Sequence, residues 1–212
     1  MIQKLTVGML QEHTYFFIDE VTKHGFLVDP GDEAERILNK IKQEEWVIEK
    51  ILLTHGHFDH IGAVAKIKTS LGCLVVIHEE GKDYLHNPEW NLSGRYGEAY
   101  TVDADYYVKH GDVITLEANS NMNLKVIHAP GHTTDGTAYY SEKEHIAFVG
   151  DIIFNGAVGR CDNPGGNMNR LLSAIRAQIF TLPDATILYP GHGPYTTVKH
   201  EKDTNPFFNF YE

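Results

Sequence analysis

The chain has 212 residues, 42% hydrophobic and 22% charged, which is ordinary for a globular protein and enough to bury the core of a single domain. The net charge of −11 argues against nucleic-acid and anionic-membrane surfaces, which need basic patches. No apolar run approaches a membrane span, the start lacks a signal peptide's apolar region, and Cys73 and Cys161 form no disulfide framework. We therefore expect a cytoplasmic protein without nucleic-acid or membrane partners, and the sequence leaves its oligomeric state open.

Strand and helix patterns alternate through the first part of the chain. β-branched and aromatic residues predict strands at residues 2–7, 13–18, 25–28 and 47–53. A change of period predicts a helix at residues 33–45, with Asp32 as its N-cap. A second helix carries Ile61, Val64, Ala65 and Ile67 and ends before Gly72.

The rest of the chain continues the mixed pattern. Strands are predicted at residues 74–77, 106–116, 124–128, 137–140, 145–149 and 185–188, and helices at 79–85 and 168–180. The irregular stretch 86–103 keeps several aromatic residues, so it is either a lid or binding loop or an Ω-like loop packed on itself. The whole indicates an α/β protein with sheets covered by helices.

Residues 54–60 read Thr-His-Gly-His-Phe-Asp-His, on a turn between a strand and a helix. Such a turn lets several side chains point into one space. Imidazole and carboxylate groups are ligands of Zn²⁺, Fe²⁺ and Mn²⁺. His55, His57, Asp59 and His60 are therefore candidate metal ligands.

Three further candidates also follow strands, and each is preceded by glycine: His132, Asp151 and His192. Glycine permits positive φ and the close backbone approach that a crowded site needs. The ends of strands often meet at one sheet edge to form a site. Seven ligands exceed the needs of one tetrahedral zinc and suit two metals with a bridging carboxylate.

The run at 54–60, followed by Pro-Gly-His-Thr at 130–133, Gly-Asp at 150–151 and Pro-Gly-His-Gly at 190–193, resembles the metallo-β-lactamase superfamily. Within it the chain is most similar to short, single-domain glyoxalase II-like hydrolases (hydroxyacylglutathione hydrolases). Further similarities are Gly-Ala-Val-Gly-Arg at 156–160, Pro-Gly-Gly-Asn at 164–167 and Asn-Pro-Phe at 205–207. The resemblance covers essentially the whole chain and implies a four-layer αββα sandwich, with residues 1–212 as one domain.

The resemblance also implies a ligand set. The first metal takes His55, His57 and His132, the second takes Asp59, His60 and His192, and Asp151 bridges them together with a hydroxide. Asp59 and Asp151 thus act in catalysis. Zinc is the first choice of metal, with iron or manganese as alternatives. The chain departs from full-length glyoxalase II because the helical C-terminal substrate domain is missing, so the identity of the thiol does not carry over.

The chemistry favours a thioester of a small thiol, S-lactoylglutathione-like, because a thiolate leaves without a strong acid. Arg160 is the first candidate to bind the anionic group of a thiol, and its alternative is a solvated arginine in a loop. Tyr195 could donate a hydrogen bond to a substrate carboxylate, and its alternative is a packing role. Asp29 could accept a hydrogen bond from the outer ring N–H of a ligand histidine, because such ligands usually donate their other N–H to an oxygen. The alternative for Asp29 is to cap a turn.

Other functions stay open at this point. The same scaffold could open lactones, or it could oxidise persulfides at a single iron. An RNA-processing nuclease is disfavoured by the acidic charge and the short chain. A non-catalytic metal-binding protein is disfavoured because all seven candidate ligands are present.

Overall fold

Two six-stranded sheets form the centre of the fold. In this computed structural model, which describes residues 1–209, the first sheet contains β1 (Ile2–Val7), β2 (Glu12–Ile18), β3 (His24–Val28), β4 (Val47–Leu52), β5 (Leu74–His78) and β6 (Tyr106–Val108). The strands lie in chain order, antiparallel from β1 to β3 and parallel from β3 to β6. Residues 210–212, the end of the stretch expected to form one domain, lie outside the described residues.

The second sheet is assembled from the later strands. They are β7 (Val113–Thr115), β8 (Asn123–His128), β9 (Thr137–Ser141), β10 (Ile146–Gly150), β13 (Ile187–Pro190) and β14 (Thr196–Thr197), with β11 (Ile153–Phe154) and β12 (Ala157–Val158) forming a separate hairpin. The order is β14-β13-β10-β9-β8-β7, and β10 and β13 run parallel. Their carboxyl ends therefore reach the same edge of the sheet.

Helices cover both outer faces of the sheet pair. They are α1 (Ala34–Gln43), α2 (Phe58–Ile61), α3 (Val64–Leu71), α4 (Lys82–His86), α5 (Ser93–Tyr96), α6 (Met168–Ala174), α7 (Val198–Thr204) and α8 (Pro206–Asn209). A π-helical turn, Ile175–Ile179, prolongs α6. In the described residues, no helix is long and apolar enough to cross a membrane.

Alternating side chains on each strand build separate cores on its two sides, as the period of a strand requires. On β2, Phe16 points toward α1 and α3, whereas Tyr15 packs between the sheets against Phe148. On β10, Val149 packs against α6, which contributes Leu171. The result is the expected αββα sandwich, so the predicted fold class is confirmed.

Three local predictions were wrong. The strand expected at 106–116 is two strands in different sheets, because a turn at Gly111 (φ 89°) carries the chain across the sandwich. The helix expected through Ile61 to Ile67 breaks at Gly62, and the Ala63 N–H donates to the Pro30 carbonyl instead. Asp32 does not occupy the N-cap position of α1, which belongs to Glu33 in a left-handed conformation.

Candidate metal centre

The candidate ligands lie where strand ends of both sheets meet. The carboxyl ends of β3 and β4 in the first sheet face those of β8, β10 and β13 in the second. Two backbone hydrogen bonds join the loops there: the Thr137 N–H donates to the Thr54 carbonyl at 2.9 Å, and the Gly191 N–H donates to the Gly150 carbonyl at 2.9 Å. The edge is thus a continuous rim, and every loop that carries a candidate ligand starts from it.

Glycines allow this rim to close. Gly150 has a φ of +48°, and a Cβ there would lie 2.2 Å from Thr54 Oγ1. A Cβ on Gly191 would lie 2.5 Å from Asp151 Oδ1 and 2.6 Å from the His60 ring. The glycine before Asp151 therefore supplies a positive φ, whereas the glycine before His192 supplies only close approach.

Three buried histidines form what we call the histidine cluster: His55, His57 and His132. His57 Nδ1 lies 3.1 Å from His55 Nε2 and 3.1 Å from His132 Nε2. Nitrogens bound to one tetrahedral zinc at 2.0–2.1 Å would lie about 3.3 Å apart. The spacing is therefore close to that of three ligands of one ion.

Asp59, His60 and His192 form a second group, which we call the mixed cluster. Asp59 Oδ2 lies 3.2 Å from His192 Nε2 and 3.8 Å from His60 Nε2. His60 is fully buried, whereas the side chains of Asp59 and His192 retain 14% and 26% exposure. This group opens toward solvent.

Asp151 stands between the two clusters. Its Oδ2 lies 3.7 Å from His132 Nε2 and 3.7 Å from His192 Nε2, and its Oδ1 lies 3.5 Å from His60 Nε2. Oδ1 is buried and has no hydrogen-bond partner in the part of the chain that the structure describes. The structure thus brings together all seven side chains singled out in the sequence.

Asp29 contacts His60 directly and His55 through Thr54. These hydrogen bonds determine which ring nitrogen of each histidine carries the proton. Asp29 Oδ2 accepts from Thr54 Oγ1 at 2.6 Å and from His60 Nδ1 at 3.0 Å. Because the Thr54 hydroxyl proton goes to Asp29, the oxygen of Thr54 is free to accept from His55 Nδ1, 3.1 Å away. We assign the proton to Nδ1 in both histidines on this network. Their Nε2 lone pairs then face the centre.

Backbone carbonyls accept a hydrogen bond from Nδ1 of two more histidine rings. His132 Nδ1 donates to the Arg160 carbonyl at 2.6 Å, and His192 Nδ1 donates to the Leu10 carbonyl at 3.1 Å. Both rings therefore turn an Nε2 lone pair inward. His57 differs, because its Nδ1 faces the centre while its buried Nε2 has no partner among residues 1–209.

The pKa values of His55 and His57 in the histidine cluster are lowered, whereas the pKa of His60 in the mixed cluster is raised. Burial lowers the pKa of His57 to about 3, with a further contribution from His132. Burial also lowers the pKa of His55 well below its usual value. For His60, burial alone would lower the pKa, but the carboxylates of Asp59, Asp151 and Asp29 raise it well above its usual value.

These features together fit divalent cations. Five inward imidazole nitrogens and two carboxylates converge on a buried space, and two of the inward atoms, His60 Nε2 and Asp151 Oδ1, have no hydrogen-bond partner among residues 1–209. Converging acceptors without donors are unfavourable unless a proton or a cation lies between them. Nitrogen and oxygen donors of this kind suit zinc, iron and manganese.

The predicted substrate-binding residues lie differently. The Arg160 guanidinium is exposed and pairs with Asp162 through two contacts of 2.7 Å, while its backbone carbonyl holds His132. Tyr195 is 64% exposed and lies against the Tyr189 ring. Within residues 1–209, no hydrogen bond or ring contact joins Tyr195 to the seven residues.

Several residues at the centre were not singled out in the sequence. Thr54 stood inside the motif and could have been noticed. His13 lies on β2, and its Nε2 contacts the Gly193 carbonyl, next to His192, at 2.8 Å. Buried Glu12, with Oε1 4.0 Å from His60 Nδ1, gave no sequence signal. Such long-range contacts leave no local pattern.

The sequence matches the metallo-beta-lactamase superfamily over residues 8–192. It is 32% identical over 212 residues to the hydroxyacylglutathione hydrolase GloC of Haemophilus influenzae, covering 98% of each chain. BLEG-1, a B3 metallo-beta-lactamase, has a TM-score of 0.93 at 35% identity, covering 99% of this chain and 100% of that one. TTHA1623 in a di-iron-bound form has a TM-score of 0.84 at 32% identity, covering 97% and 99%. The chain belongs to the metallo-beta-lactamase superfamily.

Proposed function

We propose that this protein is a binuclear metallo-hydrolase that cleaves thioesters of small thiols, S-lactoylglutathione-like substrates included. The histidine cluster would hold one ion and the mixed cluster the other, with Asp151 bridging them. The observation that carries the proposal is the convergence of seven ligand groups, four of them on histidines whose other ring nitrogen has a partner. Fixed outer partners of this kind are typical of metal-binding histidines.

Two bound divalent ions would supply a water with a pKa of about 7 and polarise the carbonyl. The chain's own residues would orient the reaction. Asp59 lies on the open side of the centre, where its carboxylate can accept a hydrogen bond from the attacking water. Asp151 sits between the clusters and would fix the spacing of the two ligand sets.

The buried acids around the centre favour a substrate whose leaving group departs without being protonated. Glu12, Asp29 and Asp135 are 1%, 2% and 0% exposed, so they cannot reach a substrate at the surface of the centre. A thiol has a pKa near 8.5 and can leave as the thiolate, whereas an amine needs a proton first. A thioester thus demands less of this site than an unstrained amide does.

The identity of the substrate is supported by a relative, GloC, whose name describes hydroxyacylglutathione hydrolysis. A second candidate is β-lactam opening, because BLEG-1 shares 35% identity and nearly the same fold. Zinc is the first proposed metal, and the di-iron form of TTHA1623 supports iron as the alternative. The acyl-thiol would be met in the cytoplasm, in keeping with two unpaired cysteines.

The test is a substrate panel on protein whose metal content has been measured. Thioester hydrolysis with two ions per chain is the expected result. One iron per chain with persulfide oxidation would replace the proposal with a dioxygenase, and lactone-only or β-lactam-only turnover would replace the substrate. RNA cleavage, or no turnover of any of these, would indicate a nuclease or a non-catalytic metal-binding protein. His86→Ala, at an exposed histidine that pairs with exposed Asp103 and lies outside the seven candidate ligands, controls for histidine loss.

A further inference from the structure

A groove with a volume of 330 Å³ opens beside the mixed cluster. One wall is the turn between β1 and β2, with Met9 and Leu10, and the other is formed by Phe58, Tyr96 and Tyr100. Asp59 of the mixed cluster also lines the groove. The groove therefore adjoins the open side of the candidate metal centre.

Both walls are fixed to the candidate ligands. The Leu10 carbonyl accepts from His192 Nδ1 at 3.1 Å. On the other side, the rings of Phe58 and Tyr96 stack with centroids 4.9 Å apart, and the Tyr100 hydroxyl donates to the Phe58 carbonyl at 2.7 Å. The 86–103 stretch packs on itself, since Asn91 Nδ2 donates to the Tyr100 carbonyl at 3.0 Å, and its residues Tyr96 and Tyr100 line the groove.

The wall side chains are apolar and yet exposed. Met9 is 73% exposed, Tyr96 is 49% and Leu10 is 43%. These side chains add little to the core, so their exposed apolar surface is available to a ligand. Clustered exposed apolar side chains beside a reactive centre are typical of a binding surface.

The charged side chains that line the groove are all acidic. Within the described chain, 1–209, no lysine, arginine or histidine lines it, and its charged residues are Asp32 and Asp59. The nearby Arg36 is engaged by Glu33 at 2.9 Å and by the Thr6 carbonyl. A carboxylate placed in the groove would lose hydration and would find no cationic side chain among the lining residues.

We propose that this groove binds an uncharged, apolar acyl chain of the substrate, so that the protein prefers thioesters with longer unbranched acyl groups over acetyl or carboxylate-terminated ones. The assignment rests on the proposed thioesterase activity for its reaction, while the groove itself is defined by geometry. The thiol part then lies outside the groove, which Arg160 does not line.

The first test uses one neutral thiol, N-acetylcysteamine, carrying acetyl, butyryl, hexanoyl or adipoyl groups. Complete burial of a methylene would raise kcat/KM about fourfold, so we expect at least about tenfold from acetyl to hexanoyl in this half-open groove. The adipoyl ester, with a carboxylate at the end of a chain of the same length, should fall at or below acetyl. A flat profile, or adipoyl equal to hexanoyl, would overturn the proposal.

Variants at Met9 locate the effect. Met9→Ser should lower kcat/KM for the hexanoyl ester about threefold relative to the acetyl ester, and Met9→Leu should restore it. Met9→Lys should narrow the gap between adipoyl and hexanoyl. Val21→Ser is the matched control, because Val21 is 90% exposed and does not line the groove. Equal profiles in Met9→Ser and Val21→Ser would contradict the assignment.

Binding separates this inference from the proposed function. The probe is the thioether of N-acetylcysteamine with a hexyl group, which cannot be hydrolysed, and its affinity is measured by calorimetry against the ethyl thioether. If no thioester is turned over but hexyl binds at least about tenfold more tightly than ethyl, the groove assignment stands and the thioesterase proposal fails. If thioesters are turned over and the two thioethers bind equally, the thioesterase proposal stands and the groove assignment fails.

Discussion

The histidine cluster and the mixed cluster share one edge of the sandwich but differ in surroundings. His55, His57 and His132 are 1%, 3% and 4% exposed, and burial keeps the first two unprotonated at neutral pH. In the mixed cluster, the side chains of Asp59 and His192 remain partly exposed, and Asp59 also lines the groove. We infer from this difference that, in the proposed hydrolase, the buried histidine cluster would hold its ion more firmly and the partly exposed mixed cluster would meet the substrate.

The largest effect is expected from the histidine cluster. His57→Ala removes the nitrogen that lies 3.1 Å from both neighbouring rings. We expect loss of one ion and a fall in kcat/KM of about a thousandfold or more, roughly 4 kcal/mol. Metal analysis and thioester kinetics measure both. Turnover near that of the wild type would refute the metal mechanism.

A variant of the mixed cluster should separate the two halves. In His192→Ala, the histidine cluster stays intact, so about one ion should remain on the histidine side while kcat/KM falls on the order of a hundredfold, about 2.7 kcal/mol. Metal titration by calorimetry counts the ions. Loss of both ions would show that neither cluster binds its ion without the other, and it would contradict the contrast drawn between the two clusters.

Asp29→Asn tests the link between the clusters. Asp29 contacts Thr54, which contacts His55, and it also contacts His60. An amide is a weaker acceptor, so both ions should bind about 10- to 100-fold more weakly. Competition with a chelator measures each affinity, and an effect on one ion alone would assign Asp29 to one cluster.

Asp135 supports the histidine cluster and predicts a pH dependence. Its Oδ2 accepts from the Gly56 N–H at 2.9 Å, and burial raises its pKa from 3.8 to about 7. The folded state holds a proton that the unfolded state releases, so this stability is complete below pH 3.8 and is lost as the pH rises to about 7.

Asp135→Asn should remove this loss. In metal-free protein, the free energy of unfolding should fall from pH 4 to 7 by on the order of 2–4 kcal/mol more in the wild type than in the variant. Denaturant titrations at each pH measure the difference. Asp103→Asn, at an 89% exposed side chain, is the control and should follow the wild type. Parallel curves for Asp135→Asn and the wild type would show that the carboxyl is ionised when folded.

The smallest effect is expected at Arg160. Its guanidinium already pairs with exposed Asp162, so a thiol carboxylate would compete for it. Arg160→Ala should raise KM about threefold for a glutathione thioester and less for a simple acetyl thioester. Equal changes in both would remove Arg160 from the thiol side of the site.

Local patterns carried the prediction of the ligands. The residues from His55 to His60 fall on one turn, and glycine precedes His132, Asp151 and His192, so residue type and spacing were readable without a fold. The prediction of one strand at 106–116 was wrong. Its ends are rich in strand-forming residues, but Gly111 and Asp112 between them are typical of turns, and the chain crosses between the sheets there.

The sequence by itself determined an α/β protein with sheets covered by helices and the seven candidate ligands, because strand periodicity and clustered histidines are local properties. The four-layer αββα sandwich was implied by the resemblance to the metallo-β-lactamase superfamily. Only the tertiary structure decided which nitrogen of each ring faces inward, since the deciding partners include backbone carbonyls of Leu10 and Arg160 that any residue could supply. It also decided the groove, because Met9 and Tyr96 meet only once the sheet edge has formed. Contacts between distant segments depend on the packing of the whole chain, and no local pattern records them.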